Sequence, residues 1–193
     1  MMRQESVPAN NGTMASLALL RGINVGGKNK VEMGRLRTVF EQLGLDEVRT
    51  YINTGNVIFT AGTEADATLV SSIERAISSE FGIDLKVLVR GIDSMRAIER
   101  TLPDDWINDS ESKSDVMFLW EDVDDPGVLD TLTIQDGVDE VVYLPGAVLW
   151  RVDRAHYSRS GMNKLVGTRL YKSMTVRNCN TVRKLIQMME DGP

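Results

Sequence analysis

The sequence predicts an α+β protein made of two ferredoxin-like subdomains, each with the split βαββαβ order and an antiparallel sheet, the second less regular. Over residues 14–91, short runs of strand-forming residues alternate with segments whose apolar residues recur every three or four positions. Two of these runs are joined by a tight turn rather than by a helix, which favours antiparallel pairing. The same pattern begins again after residue 113, which indicates an internal repeat.

The first predicted strand is a continuous apolar run over residues 14–20, typical of a strand covered on both faces. A helix is predicted next, because apolar residues recur at helical spacing over residues 36–43. Asn29 is a candidate for its N-cap and Gly44 for its end.

A β-hairpin is predicted from residues 48–53 and 56–60, which are rich in β-forming residues and separated by Thr54 and Gly55. Apolar periodicity then predicts a second helix over residues 69–81 and a strand over residues 85–90. These elements complete the βαββαβ order of the first subdomain.

The remaining segments divide the chain further. Residues 1–13 are polar and predict a disordered leader, and residues 92–113 predict a helical and acidic linker. The second subdomain spans residues 114–193 and ends in a helix. Its predicted elements are a strand over 116–120, a short helix over 128–132, a hairpin over 141–152, a short strand over 174–176 and a helix over 182–189.

Composition excludes several classes of protein. The chain has 193 residues, 42% of them hydrophobic, and no apolar run approaches the roughly 18 residues that a membrane span requires. A single cysteine, Cys179, rules out an internal disulfide and a multi-cysteine zinc site. We therefore expect a cytoplasmic protein without a structural metal and without a membrane partner. Packing of the second subdomain against the open face of the first sheet would make it a monomer.

Charge is distributed unevenly along the chain, although the net charge is −6. Residues 104–140 are almost exclusively acidic among their charged positions, and residues 151–184 almost exclusively basic. These two segments could pair with each other, or either could face a partner. For the basic segment, that partner would carry phosphates.

The Gly-rich segment at residues 21–30 (RGINVGGKNK) is the leading candidate site. Its glycines allow positive φ and a close approach of the backbone to a ligand, and a helix start beyond them would present N–H groups to an anion. The pattern resembles a P-loop but ends in Asn29, which lacks the hydroxyl that ligates magnesium. A nucleotide hydrolase is therefore not favoured.

The split topology places this loop and the turn between the second and third strands at one edge of the sheet. We therefore predict binding of a phosphate-bearing ligand, a nucleotide or a nucleic-acid end, at this edge. The alternative is a non-enzymatic scaffold or interaction module whose Gly-rich loop is purely structural. The candidate ligand-binding residues are Arg21, Gly22, Asn24, Gly26, Gly27, Lys28, Asn53 and Asn56, with Arg159 and Lys164 as closing contacts.

Catalytic residues cannot be assigned from the sequence. His156 with Ser158 or Cys179 lacks an evident orienting acid, so a surface histidine is favoured. The acidic residues from Glu121 to Asp125 lack the spacing of a calcium loop and favour a solvated turn. Whether the protein is an enzyme, and which cofactor it would use, stays open.

Three blocks, residues 18–37, 48–59 and 158–185, resemble a bacterial family catalogued as domain of unknown function 1697. The resemblance spans nearly all of the chain after residue 13 and implies an α+β fold with ferredoxin-like subdomains. It implies no settled activity. It also implies a tryptophan where this chain has Cys179, and that departure counts against a nucleophilic cysteine.

Overall fold

The computed structural model describes residues 14–62 and 65–192, so the predicted leader over residues 1–13 lies outside the described residues. None of the helices in these two ranges is long and apolar enough to span a membrane. The helices and strands are, in chain order, β1 (Met14–Leu20), α1 (Met33–Gln42), β2 (Asp46–Tyr51), β3 (Asn56–Ala61), α2 (Ala67–Phe81), β4 (Val87–Gly91), α3 (Ile92–Thr101), β5 (Ser112–Leu119), β6 (Asp139–Leu144), β7 (Ala147–Asp153), α4 (Gly161–Leu165), β8 (Met174–Asn178) and α5 (Cys179–Glu190).

The first sheet has the strand order β2-β3-β1-β4, and every neighbouring pair is antiparallel. The predicted hairpin is confirmed as β2 and β3. Helices α1 and α2 cover one face of this sheet, where Phe40 and Ile73 pack against Phe59 in a buried core. The ring centroids of Phe40 and Phe59 lie 5.6 Å apart in a tilted arrangement. Helix α2 ends at Gly82, whose φ of 66° is the left-handed conformation that glycine adopts most easily.

The second sheet repeats this arrangement with the order β6-β7-β5-β8, again antiparallel throughout. The short helix predicted over residues 128–132 is a 3-10 helix, Pro126–Thr131. Asp125 caps this turn by accepting a hydrogen bond from the Gly127 N–H. Proline at the start and the shortness of the segment favour the tighter turn over an α-helix. The second half has this 3-10 helix at the place where the first half has helix α1, and it is therefore less regular than the first half.

A shared core lies between the two sheets. Leu17 of β1 and Phe118 of β5 belong to one buried cluster with Ile98 of α3 and Leu185 of α5. Alternate residues of β1 enter this cluster and the α1–α2 core, which explains its continuous apolar sequence. The second half therefore covers the open face of the first sheet.

A carboxylate organises the second half. Asp139 accepts hydrogen bonds from the Trp150 Nε1 at 3.0 Å, the Gln135 N–H at 2.8 Å, the Gly161 N–H at 2.9 Å and the Ser160 hydroxyl. Burial raises the pKa of Asp139, but these four donors favour the charged form more strongly, so the pKa lies below its usual value. The charged carboxylate thus joins β6, β7 and the start of α4.

We expect the stabilisation by Asp139 to be lost in acid. Because the pKa is lowered on folding, the contribution is complete above the unfolded value of about 3.9 and declines as the pH falls through the folded value. The difference in free energy of unfolding between wild type and Asp139→Asn should therefore be largest near neutral pH and shrink below about pH 4. Urea denaturation over a pH series measures it. Asp130→Asn, at an exposed position, is the control, and a wild-type-to-Asp139→Asn difference that stays constant down to pH 3 would contradict the expectation.

Candidate functional site

The Gly-rich segment folds into a small hairpin of its own. Val25 pairs with Lys28, whose N–H donates to the Val25 carbonyl at 3.0 Å. Gly26 and Gly27 form the turn with φ values of 57° and 77°, a pair of positive angles that favours glycine. The segment therefore returns on itself before the next helix begins.

The predicted N-cap at Asn29 is wrong. Helix α1 begins at Met33, with Glu32 at the N-cap position. Asn29 instead adopts a φ of 49°, and its side chain donates to the Gly22 carbonyl at 2.9 Å. Asparagine tolerates the left-handed conformation that closes this hairpin, and a local hydrogen bond replaces the cap. The glycines consequently do not lie at a helix N-terminus.

Asn24 joins the loop to the turn between β2 and β3. Its amide donates to the carbonyls of Val31 at 2.9 Å and Asn53 at 2.8 Å, and its carbonyl oxygen accepts from the Val31 N–H at 2.9 Å. The structure thus brings Asn24 and Asn53 together at one edge of the sheet. The Asn24 side chain, however, is occupied by backbone groups.

Asn56 is buried, and its side chain forms hydrogen bonds within the protein. Its amide donates to the Tyr51 carbonyl at 3.1 Å and the Thr54 hydroxyl at 3.0 Å. Its carbonyl oxygen accepts from the Arg177 Nε at 2.5 Å. These three bonds explain why a polar residue can begin β3 in the core.

Arg177 of β8 connects the two halves through hydrogen bonds. Its residue is only 8% exposed, and its Nη2 donates to the carbonyls of Leu20 at 2.9 Å, Thr54 at 3.0 Å and Gly55 at 3.2 Å. Burial lowers the pKa of Arg177 to about 10, so the guanidinium stays charged at neutral pH. No carboxylate in the described ranges forms an ion pair with it. The sequence analysis did not identify this residue, which directly follows the strand predicted over residues 174–176.

Arg21 makes a second bridge between the halves. Its Nε donates to the Met174 carbonyl at 3.0 Å and its Nη2 to the Tyr171 carbonyl at 3.1 Å. The guanidinium carbon lies 5.4 Å from the centroid of the Tyr171 ring. The Arg21 Nη1 makes no hydrogen bond to any described residue. One edge of this guanidinium is therefore left for other contacts.

An open groove of about 680 Å³, here called the junction groove, lies beside Arg21 between the Gly-rich segment and residues 167–172. Lys86 and Lys172 also line it, against one carboxylate, Asp84. Both lysines are exposed, and neither has an ion-pair partner among the residues that the structure describes. The groove is therefore locally basic in an acidic protein. Lys86 and Lys172 were not among the predicted ligands, although Lys86 lies in the predicted strand over residues 85–90 and Lys172 in the basic segment over residues 151–184.

The other predicted ligands lie elsewhere or at the edge of this region. Lys28 is exposed at the hairpin, and Arg159 and Lys164 are exposed in the second half; none of these three lines the junction groove. Asn24, Gly27 and Asn53 border a separate groove of about 560 Å³ on the first half. The structure thus does not bring the predicted set together on one surface.

Cys179 and His156 were considered as a nucleophile and a base. Cys179 is fully buried at the start of α5, and burial, followed by the nearby Asp115 charge, raises the pKa of its thiol to about 12. The thiol is therefore protonated at neutral pH and is a poor nucleophile. His156 lies in a 3-10 turn, Arg154–His156, and makes no side-chain hydrogen bond with the described residues. In the same ranges, no group of three His, Cys, Asp or Glu side chains is placed to hold a metal ion.

Comparison with known proteins identifies a family and a fold. A family model described as "Protein of unknown function (DUF1697)" matches residues 14–150. The chain is also similar to a solved structure, that of a conserved bacterial protein from Streptococcus pneumoniae, with 31% sequence identity and a TM-score of 0.78. That similarity covers 92% of this chain and 99% of the other. No functionally curated protein matches the chain.

Proposed function

We propose that the junction groove of this protein, which belongs to the DUF1697 family of proteins of unknown function, binds a phosphate-bearing ligand. The ligand is a nucleotide or a nucleic-acid end. The observation that carries this proposal is the convergence of Arg21, Lys86 and Lys172 on one groove. We also infer that both halves are ferredoxin-like, since their sheets share one strand order. The domain bounds, a cytoplasmic location and a monomeric state stay predictions.

Charge and open donors support this assignment. A phosphate group carries close to two negative charges and accepts several hydrogen bonds. Lys86 and Lys172 supply ammonium groups, and Arg21 supplies the unoccupied edge of a guanidinium that Met174 and Tyr171 hold in place. A fixed guanidinium loses little side-chain entropy on binding. Contacts through Gly26, Lys28, Asn53, Arg159 and Lys164 stay predictions.

We expect ribose 5-phosphate and mononucleotides to stabilise the protein in a thermal-shift screen. A ligand at a hundred times its dissociation constant adds about 2.7 kcal/mol to the free energy of unfolding. Lys172→Ala should weaken binding roughly tenfold, because a charge-assisted hydrogen bond contributes about 1.5 kcal/mol. Lys184→Ala, which removes an exposed lysine of α5 outside the groove, is the matched control. Equal affinities of Lys172→Ala and Lys184→Ala would exclude the groove as the site.

A scaffold function is the second candidate, and the use of polar side chains favours it. Asn24 and Asn56 are fully engaged within the protein, and Arg21 donates to two carbonyls of the other half. A purely structural loop would make Arg21→Ala strongly destabilising, while no phosphate compound would raise the melting temperature. That pair of results would exclude phosphate binding and support the scaffold function.

A further inference from the structure

A smaller pocket of about 150 Å³ lies in the second half and is lined by Lys113, Asp115, Tyr157 and Tyr171. A cleft of about 340 Å³ has lining residues in common with both this pocket and the junction groove. That cleft shares Arg21 and Tyr171 with the groove, and Tyr171 and Val176 with the pocket. Tyr171 therefore borders all three hollows.

An ion pair with unused hydrogen-bonding capacity lies in this pocket. The Lys113 Nζ lies 2.5 Å from Asp115 Oδ2, and the Asp115 side chain is only 8% exposed. Asp115 Oδ1 accepts no hydrogen bond from any side chain in the described ranges. An ammonium has three N–H donors, and Lys113 uses one of them here. The pair thus offers a free acceptor on a largely buried carboxylate beside free donors of the ammonium.

The remaining walls are apolar or aromatic. Met117, Met162 and Val176 line the pocket, and the Lys113 Nζ lies 5.9 Å from the centroid of the Tyr157 ring. Thioether side chains adapt to flat ring systems, and tyrosine rings stack on them. The pocket therefore has flat apolar walls, with the Lys113 donor and the Asp115 acceptor at one side. Such a pocket suits a planar heterocycle with an acceptor opposite Lys113 and a donor opposite Asp115.

The volume of the pocket selects the size of the ring. An apolar cavity of about 150 Å³ accommodates benzene, a single six-membered ring. A purine has two fused rings and exceeds that space, whereas a pyrimidine matches it. A carboxylate is also a known acceptor for the amino group of cytosine.

We propose that the ligand of the junction groove is a pyrimidine nucleotide whose base enters this pocket, and this inference rests on the proposed phosphate-binding function. Asp115 accepts from the N–H or amino group of the base, and Lys113 donates to the neighbouring ring nitrogen or carbonyl oxygen. Arg21, Lys86 and Lys172 hold the phosphate at the other end. Tyr171 lies between the two ends of the ligand.

Calorimetric titration with CMP, UMP, AMP, GMP and ribose 5-phosphate tests the inference. CMP or UMP should bind at least tenfold more tightly than the two purine nucleotides and ribose 5-phosphate. Asp115→Asn turns an acceptor partly into a donor, so it should weaken CMP and UMP binding about tenfold and leave ribose 5-phosphate unaffected. Asp130→Asn, the same change at an exposed position, should alter neither.

A 5′-phosphorylated oligouridine that binds more tightly than UMP would identify a nucleic-acid end as the source, and weaker binding would identify the free nucleotide.

A second variant keeps the test independent of any folding defect in Asp115→Asn. Val166 lies at the pocket with 67% of its surface exposed, so Val166→Trp should fold normally while it narrows the entrance. It should abolish the preference for pyrimidines. Equal binding of all four nucleotides and ribose 5-phosphate to the wild-type protein would overturn the pyrimidine inference and leave the phosphate site standing. Absence of binding by every compound would overturn both.

Discussion

Gly161→Ala is expected to lower the free energy of unfolding by roughly 4 kcal/mol or more, placing it among the most destabilising single substitutions. A Cβ at this position would lie 1.3 Å from the Thr133 carbonyl oxygen and 2.6 Å from its carbon. Both are backbone atoms, which cannot rotate away as the end of a flexible side chain would. The Gly161 N–H also donates to Asp139, so a shift of α4 would break that bond as well. Urea denaturation followed by circular dichroism measures the loss.

Gly34→Ala provides the matched control. Gly34 lies in α1, and the nearest atom to an added Cβ is the Glu32 Oε1 at 3.7 Å. Replacing an unstrained glycine within a helix by alanine should stabilise the protein by about 0.5–1 kcal/mol. The same chemical change should therefore have opposite effects at the two sites. If Gly161→Ala also stayed within about 1 kcal/mol of wild type, the Thr133 backbone would have to be displaceable.

Arg177→Met should cost roughly 4 kcal/mol, because it removes the guanidinium that joins the two halves. The buried carbonyl of Leu20 and the buried side-chain oxygen of Asn56 would lose a donor, and so would the carbonyls of Gly55, which keeps the Leu20 N–H, and of the more exposed Thr54. Each buried acceptor left unsatisfied costs about 1–3 kcal/mol, and the methionine recovers part of this by apolar packing. Thermal and urea unfolding of the variant measure the loss.

Arg177→Lys separates charge from geometry. It keeps a positive charge but replaces a planar fork of five donors by three donors on one atom, so we expect an intermediate loss of stability. Arg75→Met is the control, since Arg75 is exposed on α2 and bonds only within that helix; its effect should stay within about 0.5 kcal/mol. Equal stability of Arg177→Met and wild type would show that the hydrogen bonds of Arg177 contribute nothing to the free energy of unfolding.

Local patterns were sufficient for most of the fold. Helix α2, from Ala67 to Phe81, has the apolar period of a helix and a terminal glycine, and the β2–β3 hairpin has the turn chemistry of its sequence. The prediction was wrong where two local interpretations competed. Asn29 is both a good cap and a good left-handed residue, and the pairing of Val25 with Lys28 selected the second.

The candidate site could be predicted only in part. The Gly-rich segment, Arg21 and the approach of Asn24 to Asn53 followed from sequence and topology. The contribution of Lys86 and Lys172 did not, because their common groove exists only when the segment before β4 and the segment before β8 meet across the two halves. Asp115 likewise becomes a candidate ligand only through the pocket that it lines.

By itself, the sequence determined the alternation of strands and helices, the antiparallel pairing and the surface edge that carries the Gly-rich segment. These properties arise from periods of two and 3.6 residues and from turn residues, which act between near neighbours in the chain. Only the tertiary structure decided which polar groups are already satisfied. Arg177 and Asn56 meet each other across the junction, whereas Lys86 and Lys172 meet no carboxylate among the described residues. Whether a donor stabilises the fold or remains for a ligand depends on partners distant in sequence, because burial and hydrogen bonding are set by packing rather than by local pattern.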